Sequence, residues 1–227
     1  MWSLAALGAA AFVVANQSAP SEVRRARWTK FAVYIGIVHI VIAAAVSGHA
    51  PATALVASIV ALSLVELARA VRRVAKADAV VASAVFALAS AGALVFAWRA
   101  SAADFIFVYV VVVIFDGFSQ AGGQLAGRVK LAPAMSPGKT VEGSVIGGGV
   151  AMAAAWYLRG LVGWPPRDAI AAGLGISLVA LAGDLAASWV KRRAGLKDFG
   201  RMLPGHGGVL DRFDGVIAVA AIAALWI

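Results

Sequence analysis

The chain contains no cysteine. That excludes disulfides, thiolate metal ligands and cysteine nucleophiles together. Charge is scarce as well: 14% of residues are charged, with 11 Asp and Glu against 20 Lys and Arg, a formal net charge of +9. A soluble domain of 227 residues would carry more charge and alternate it with apolar positions. A nucleic-acid-binding domain would interleave a basic stripe with aromatics on a polar surface, and the sequence has none. Any metal must be held by carboxylates, histidines, backbone oxygens or water.

What fills the chain instead is apolar. Hydrophobic residues make up 62% of it, and the mean hydropathy is +0.89. Apolar runs at 1–15, 31–47, 52–68, 79–98, 104–124, 144–161, 169–190 and 214–227 predict an all-α, polytopic integral membrane protein of about eight transmembrane helices. The first and last runs are short for a span and call for less tilt or a thinner bilayer. No basic residue precedes Glu22, so the first run reads as an uncleaved span rather than a signal peptide. The chain reads as a single membrane domain over 1–227, with N-terminal spans in 1–103 and the chemistry in 104–227.

The eight-span reading sorts the basic residues. One set of alternate loops holds 17 of the 20, from Arg24, Arg25, Arg27 and Lys30 through to Arg201 and Arg212; the other holds Arg99, Arg159 and Arg167. The positive-inside rule makes the basic side cytoplasmic and puts both termini outside. The Ala- and Val-rich composition points to a prokaryotic plasma membrane. The first two basic loops need no explanation beyond topology and attraction to anionic lipid. Segments 117–143 and 185–213 are different. They mix Gly, Pro, Ser, Lys and Asp and are where function is expected.

An acid inside a membrane costs about 2.5–3.5 kcal/mol on insertion scales, so each one needs a reason. Asp116 ends the run "FIFVYVVVVIF", which is too short to cross, so the helix continues and places Asp116 within the membrane. Ser119 and Gln120 then share its face, and Gly122, Gly123 and Gly127 allow another helix to come close. Asp184, Ser188 and Lys191 form one stripe of a helix. Glu66 lies near Arg69, Arg72 and Arg73 and reads as an interfacial ion pair without a role. In "DFGRMLPGHGGVLDRFDG", Asp211 and Asp214 share a helical face and suit a hard divalent cation such as Mg²⁺. The "PGHGG" turn can expose backbone N–H groups to phosphate, among Lys191, Arg192, Lys197, Arg201 and Arg212. His206 either hydrogen-bonds the turn or takes part in chemistry. "SPGKT" lacks the P-loop spacing, because position 133 is Pro; it reads as a loop with helix-start residues, and helix N-termini bind anions.

Ser188 to Asp214 follows the pattern S-x-x-K-R-x-x-x-x-K-D, P-x-H-G-G, x-D-R-x-D. With "KLAPAMSPGKTVEG" and the "GD" at 183–184, this resembles the signature of phosphatidate cytidylyltransferases, the CDP-diacylglycerol synthases. The resemblance runs from Asp116 onward, and "DGFSQAGG" departs from that family's more usual D-x-x-A-Y. It implies transfer of the cytidylyl group of CTP to phosphatidate, giving CDP-diacylglycerol and pyrophosphate, in phospholipid biosynthesis. It implies Mg²⁺, with or without a second cation, held by Asp184, Asp211 and Asp214. By the same resemblance Lys191, Arg192, Lys197, Asp198, His206 and Arg212 serve catalysis. Asp116, Arg128, Lys130, Ser136, Lys139, Thr140, Glu142 and Ser188 bind substrate. The implied partners are CTP, phosphatidate and membrane lipids, with no nucleic acid, and the implied assembly is a homodimer with the active site facing the cytoplasm. The rivals are a CTP-dependent lipid-alcohol kinase, a cytidylyltransferase for another lipid phosphate, and a transporter using Asp116 and Asp184 as ion sites. The one-sided pile-up of polar residues argues against the last.

Overall fold

A computed structural model describes residues 21–227. Among the described residues seven helices follow one another: α1 (Ser21–Val46), α2 (His49–Val71), α3 (Lys76–Arg99), α4 (Ala102–Ala126), α5 (Val141–Val162), α6 (Pro166–Arg193) and α7 (Leu210–Ala223). Six of them, α1 to α6, are long and apolar enough to cross a membrane. At 22–28 residues they span about 33–42 Å, against a hydrocarbon core of ~30 Å. The expected first span, 1–15, lies outside the described residues. The expected last span, 214–227, is corrected: α7 begins at Leu210, ends at Ala223 and has 14 residues. That is about 21 Å, too short for a full crossing.

Helix ends follow local chemistry. Pro51 and Pro166 sit in first turns, where a missing N–H costs nothing. Ser101 caps α4 by accepting from Asp104 N, and Thr140 caps α5 by accepting from Gly143 N. Gly163, at φ 69°, ends α5 in the left-handed conformation.

The all-helical expectation needs one amendment. Between α4 and α5 the chain forms a two-stranded antiparallel hairpin, β1 (Lys130–Ala132) and β2 (Ser136–Thr140). "SPGKT" is therefore strand β2 leading into a helix cap, rather than a loop.

The core lies along α4, whose Phe107, Val111, Val112 and Phe115 are fully buried. α5 packs closely on α4 through glycine. An added methyl at Gly122 would meet Ile146, and one at Gly143 would meet Ser119 O and Gly123, as the glycine spacing in "DGFSQAGGQLAG" predicts. Leu88, Val80, Val145 and Tyr157 are exposed, an apolar exterior suited to lipid. At one end of the bundle, Lys30 of α1 touches Gly205, Glu66 of α2 bonds Val209 N, and Asp78 of α3 pairs with Arg193 of α6 at 3.6 Å. The helix ends that carry most of the basic residues are thus gathered around the connection from α6 to α7.

Candidate active site

The connection 194–209 is pinned by two carboxylates. Glu66, buried on α2, accepts from Val209 N at 3.1 Å and Leu210 N at 2.8 Å. Asp211 Oδ2 accepts from Gly208 N at 2.9 Å and Phe199 N at 2.8 Å, and its Oδ1 receives Lys191 Nζ at 2.8 Å. The first N–H groups of α7, which have no partner within the helix, are satisfied in this way. Negative charge at a helix N-terminus is favourable as well. This geometry also accounts for the glycines of the segment. A methyl at Gly200 or Gly208 would run into the Glu66 carboxylate, and Gly205 and Gly207 have φ of 74° and 83°. The polar segment of an otherwise oily chain is the clasp that starts α7.

Beside the clasp lies a cavity of about 420 Å³. α4 contributes Asp116, Ser119 and Gln120; β2 contributes Ser136, Lys139 and Thr140; α6 contributes Asp184; α7 contributes Asp211, Arg212 and Asp214. Lys139 Nζ lies 2.5 Å from Asp184 Oδ2, and Ser188 Oγ donates to Asp184 Oδ1 at 3.3 Å. The Ser119 hydroxyl is buried without a hydrogen-bond partner, an unusual state for a buried polar group. The hairpin is what brings Lys139 in. Its base is tied by Val141 N donating to Val129 O at 2.9 Å, and by Glu142 accepting from Arg128 N at 3.0 Å and Val129 N at 3.1 Å.

Of the residues singled out in the sequence, Asp116, Ser136, Lys139, Thr140, Asp184, Asp211, Arg212 and Asp214 border this one cavity. Ser188 stands behind Asp184. Lys191 is buried, pairs with Asp211 and has its ammonium 5.4 Å from the Phe199 ring centre. Arg192 bridges two segments by donating to Met135 O at 3.0 Å and Leu196 O at 3.1 Å. Asp198 lies against Gly207. Arg128, Lys130 and Lys197 are exposed and lie outside the cavity lining. His206 borders a second, neighbouring cavity, and its Nδ1 is 3.3 Å from Pro204 O. Burial holds the His206 imidazole below its ordinary value, and the nearby Arg212 and Lys30 charges push the same way against the Pro204 bond.

Three contributions escaped the sequence reading. Glu66 is no interfacial ion pair; it caps α7 across 144 positions of sequence. Gln124 and Ser144 complete the cavity wall. Arg27 and Lys30, read as topology signals, line the second cavity. Only the run of acids and glycines near α7 hinted that something must satisfy its N-terminus.

The donor set fits a hard cation in kind, being all carboxylate and hydroxyl oxygen. Among the described residues no group of three or more acidic or histidine side chains could hold a metal ion alone. Mg²⁺ commonly uses one or two carboxylates and completes its shell with water and substrate phosphates, so the arrangement is compatible with it. Asp184, Asp211 and Asp214 all border the cavity, and each already has partners: the Lys139 ammonium and the Ser188 hydroxyl on Asp184, one ammonium and two amides on Asp211, and Gly215 N on Asp214.

The chain is similar to several known proteins. A phosphatidate cytidylyltransferase of Brucella abortus is 44% identical over 122 residues, covering 53% of this chain and 45% of that protein. One from Synechocystis sp. is 45% identical over 106 residues, covering 44% of this chain and 34% of the relative. One from Helicobacter pylori is 42% identical over 117 residues, covering 49% and 42%. In each case the match spans less than half of the relative's length. Residues 80–227, which hold every element of the carboxylate-lined cavity, match the model described as the Cytidylyltransferase family, and the chain belongs to that family.

Proposed function

We propose that this chain transfers the cytidylyl group of CTP to phosphatidate, producing CDP-diacylglycerol and pyrophosphate. The observation that carries the reading is the single cavity in which Asp116, Asp184, Asp211 and Asp214 meet Lys139, Arg212 and the hydroxyls of Ser136 and Thr140. The names of the relatives support the same reaction.

In this reading an oxygen of the phosphatidate phosphate attacks the α-phosphorus of CTP. The bond from that phosphorus to the oxygen bridging the β-phosphorus breaks, and pyrophosphate leaves. The nucleophile is already an anion, so no serine–histidine pair is required. The difficulty is repulsion between two anions, and the protein answers it with fixed charge. Lys139, held beside Asp184, meets the triphosphate. Arg212, which borders both cavities, lies between nucleotide and acceptor. The hydroxyls of Ser119, Ser136 and Thr140 donate to phosphate oxygens. Asp184 and Asp214 would hold Mg²⁺, which when bound offsets phosphate charge and polarises the α-phosphoryl group.

We place the site at the cytoplasmic face of the membrane, because the end of the bundle that carries it also carries most of the arginines and lysines. A homodimer is proposed on the family resemblance alone. Light scattering that returned a monomer mass for the detergent-solubilised protein would remove it.

The test of the reaction is the leaving group. Purified protein with CTP, phosphatidate and Mg²⁺ should release pyrophosphate and form CDP-diacylglycerol. Release of CDP would mean γ-phosphoryl transfer, the chemistry of a lipid kinase, and would defeat the proposal.

A further inference from the structure

The second cavity, about 630 Å³, lies between α1, α4 and α7. Its lining divides by chemistry. Arg27 and Lys30 of α1 and Arg212 of α7 supply positive charge, while Phe31, Val113 and Val216 are among its apolar side chains. It shares Asp116, Gln120 and Arg212 with the carboxylate-lined cavity, so an occupant of one adjoins an occupant of the other. Among the described residues of the lining, Arg27, Lys30 and Arg212 accompany one carboxylate, Asp116. That balance suits an anion, and the apolar wall suits a chain attached to it.

The placement of Lys30 is built into the fold. Its aliphatic stem lies on Gly205, and a methyl there would approach Lys30 Cγ to 2.7 Å. Gly205 has φ of 74°, which favours glycine on backbone grounds as well. α1 thus docks on the same turn that starts α7. α1 also lies outside residues 80–227, so nothing in the family match assigns it a part in the site.

We infer that Arg27 and Lys30 of α1, with Arg212 of α7, form a cradle for the phosphomonoester of the acceptor lipid, and that the apolar wall beneath takes the start of its acyl chains. The inference rests on the proposed reaction and adds to it where the acceptor sits. A phosphomonoester held at Arg212 adjoins the carboxylate-lined cavity, because Arg212 lines both. The α1 cations therefore act on acceptor binding, and the hairpin and α6 act on CTP.

The test uses the full chain in phosphatidylcholine nanodiscs doped with phosphatidate. Arg27→Gln and Lys30→Gln should each raise KM for phosphatidate about tenfold or more, as expected for losing a charge-assisted contact. KM for CTP should stay as it is, Lys30→Arg should restore much of the loss, and Lys76→Gln should leave both constants unchanged. Equal rises in both constants, or no rise for phosphatidate, would overturn the cradle. A binding arm separates this inference from the reaction itself. Without CTP, native mass spectrometry should show phosphatidate retained over phosphatidylcholine, and retention lost in the Arg27→Gln, Lys30→Gln double variant. If no pyrophosphate forms but this selective retention holds, the cradle stands and the reaction falls. If pyrophosphate forms and the double variant retains phosphatidate normally, the cradle falls alone. Competition by glycerol 3-phosphate as strong as by phosphatidate would assign the cations to a free phosphate and overturn the lipid assignment.

Discussion

Replacing Glu66 with Gln separates two accounts of the same residue by several kcal/mol. As an interfacial ion pair it would be worth ~0–1 kcal/mol, and its loss would pass almost unnoticed. As found, the carboxylate is 3% exposed and accepts from Val209 N and Leu210 N. Gln keeps the shape but turns one acceptor into a donor, which then faces an N–H. One buried amide is left unsatisfied, at about 1–3 kcal/mol, and one charge-assisted bond becomes ordinary. Loss of negative charge at the α7 N-terminus adds up to ~1 kcal/mol. The sum is about 2–5 kcal/mol, a large part of the 5–15 kcal/mol typical of a folded domain. Because α7 carries Asp211, Arg212 and Asp214, kcat should fall with stability. Thermal unfolding in detergent and steady-state turnover are the assays. Glu66→Asp should be intermediate. Wild-type melting and turnover in Glu66→Gln would refute the clasp and restore the ion-pair view.

Lys191→Met should destabilise the protein by ~3–5 kcal/mol, because it strands a carboxylate whose side chain is 5% exposed; Asp211→Asn should nearly abolish turnover, and the double variant should melt above the sum of the two losses. Gly147→Ala would press a methyl into Ser119 Oγ and within 2.8 Å of Phe115 O; a melting loss of about 1–3 kcal/mol and weaker CTP binding should follow as α5 moves off α4. His206 has its pKa lowered in the folded protein, so the unfolded chain binds more protons near pH 6.5, and the stability present above that value declines as pH falls through the folded pKa. His206→Gln should flatten that decline, as seen in melting temperature against pH between 5 and 8.

Much of the arrangement was legible because it rests on short-range rules. Apolar run length set α2 to α6, the i, i+3, i+4 rule put Ser119 and Gln120 beside Asp116, and Thr140 was readable as a helix start. The rest depends on contacts that sequence spacing does not encode. Glu66 meets the N–H groups of α7 from a helix 144 positions away, and its nearby arginines offered a simpler local story. The three-residue strand Lys130–Ala132 is too short to show an alternating pattern. Arg192 was readable as a cation, but its bond to Met135 O exists only once the hairpin has folded back on α6. Arg27 and Lys30 looked like every other basic residue at a membrane surface until α1 packed against the Gly205 turn.

The central claim is that acids from separate helices meet at one cation with the nucleotide. Mn²⁺, substituted for Mg²⁺, reports on it directly by electron paramagnetic resonance in the presence of CTP. The wild-type protein should immobilise the ion when CTP is added, and Asp184→Asn and Asp214→Asn should each release it while the protein stays folded. Undiminished Mn²⁺ binding in both variants would contradict the account.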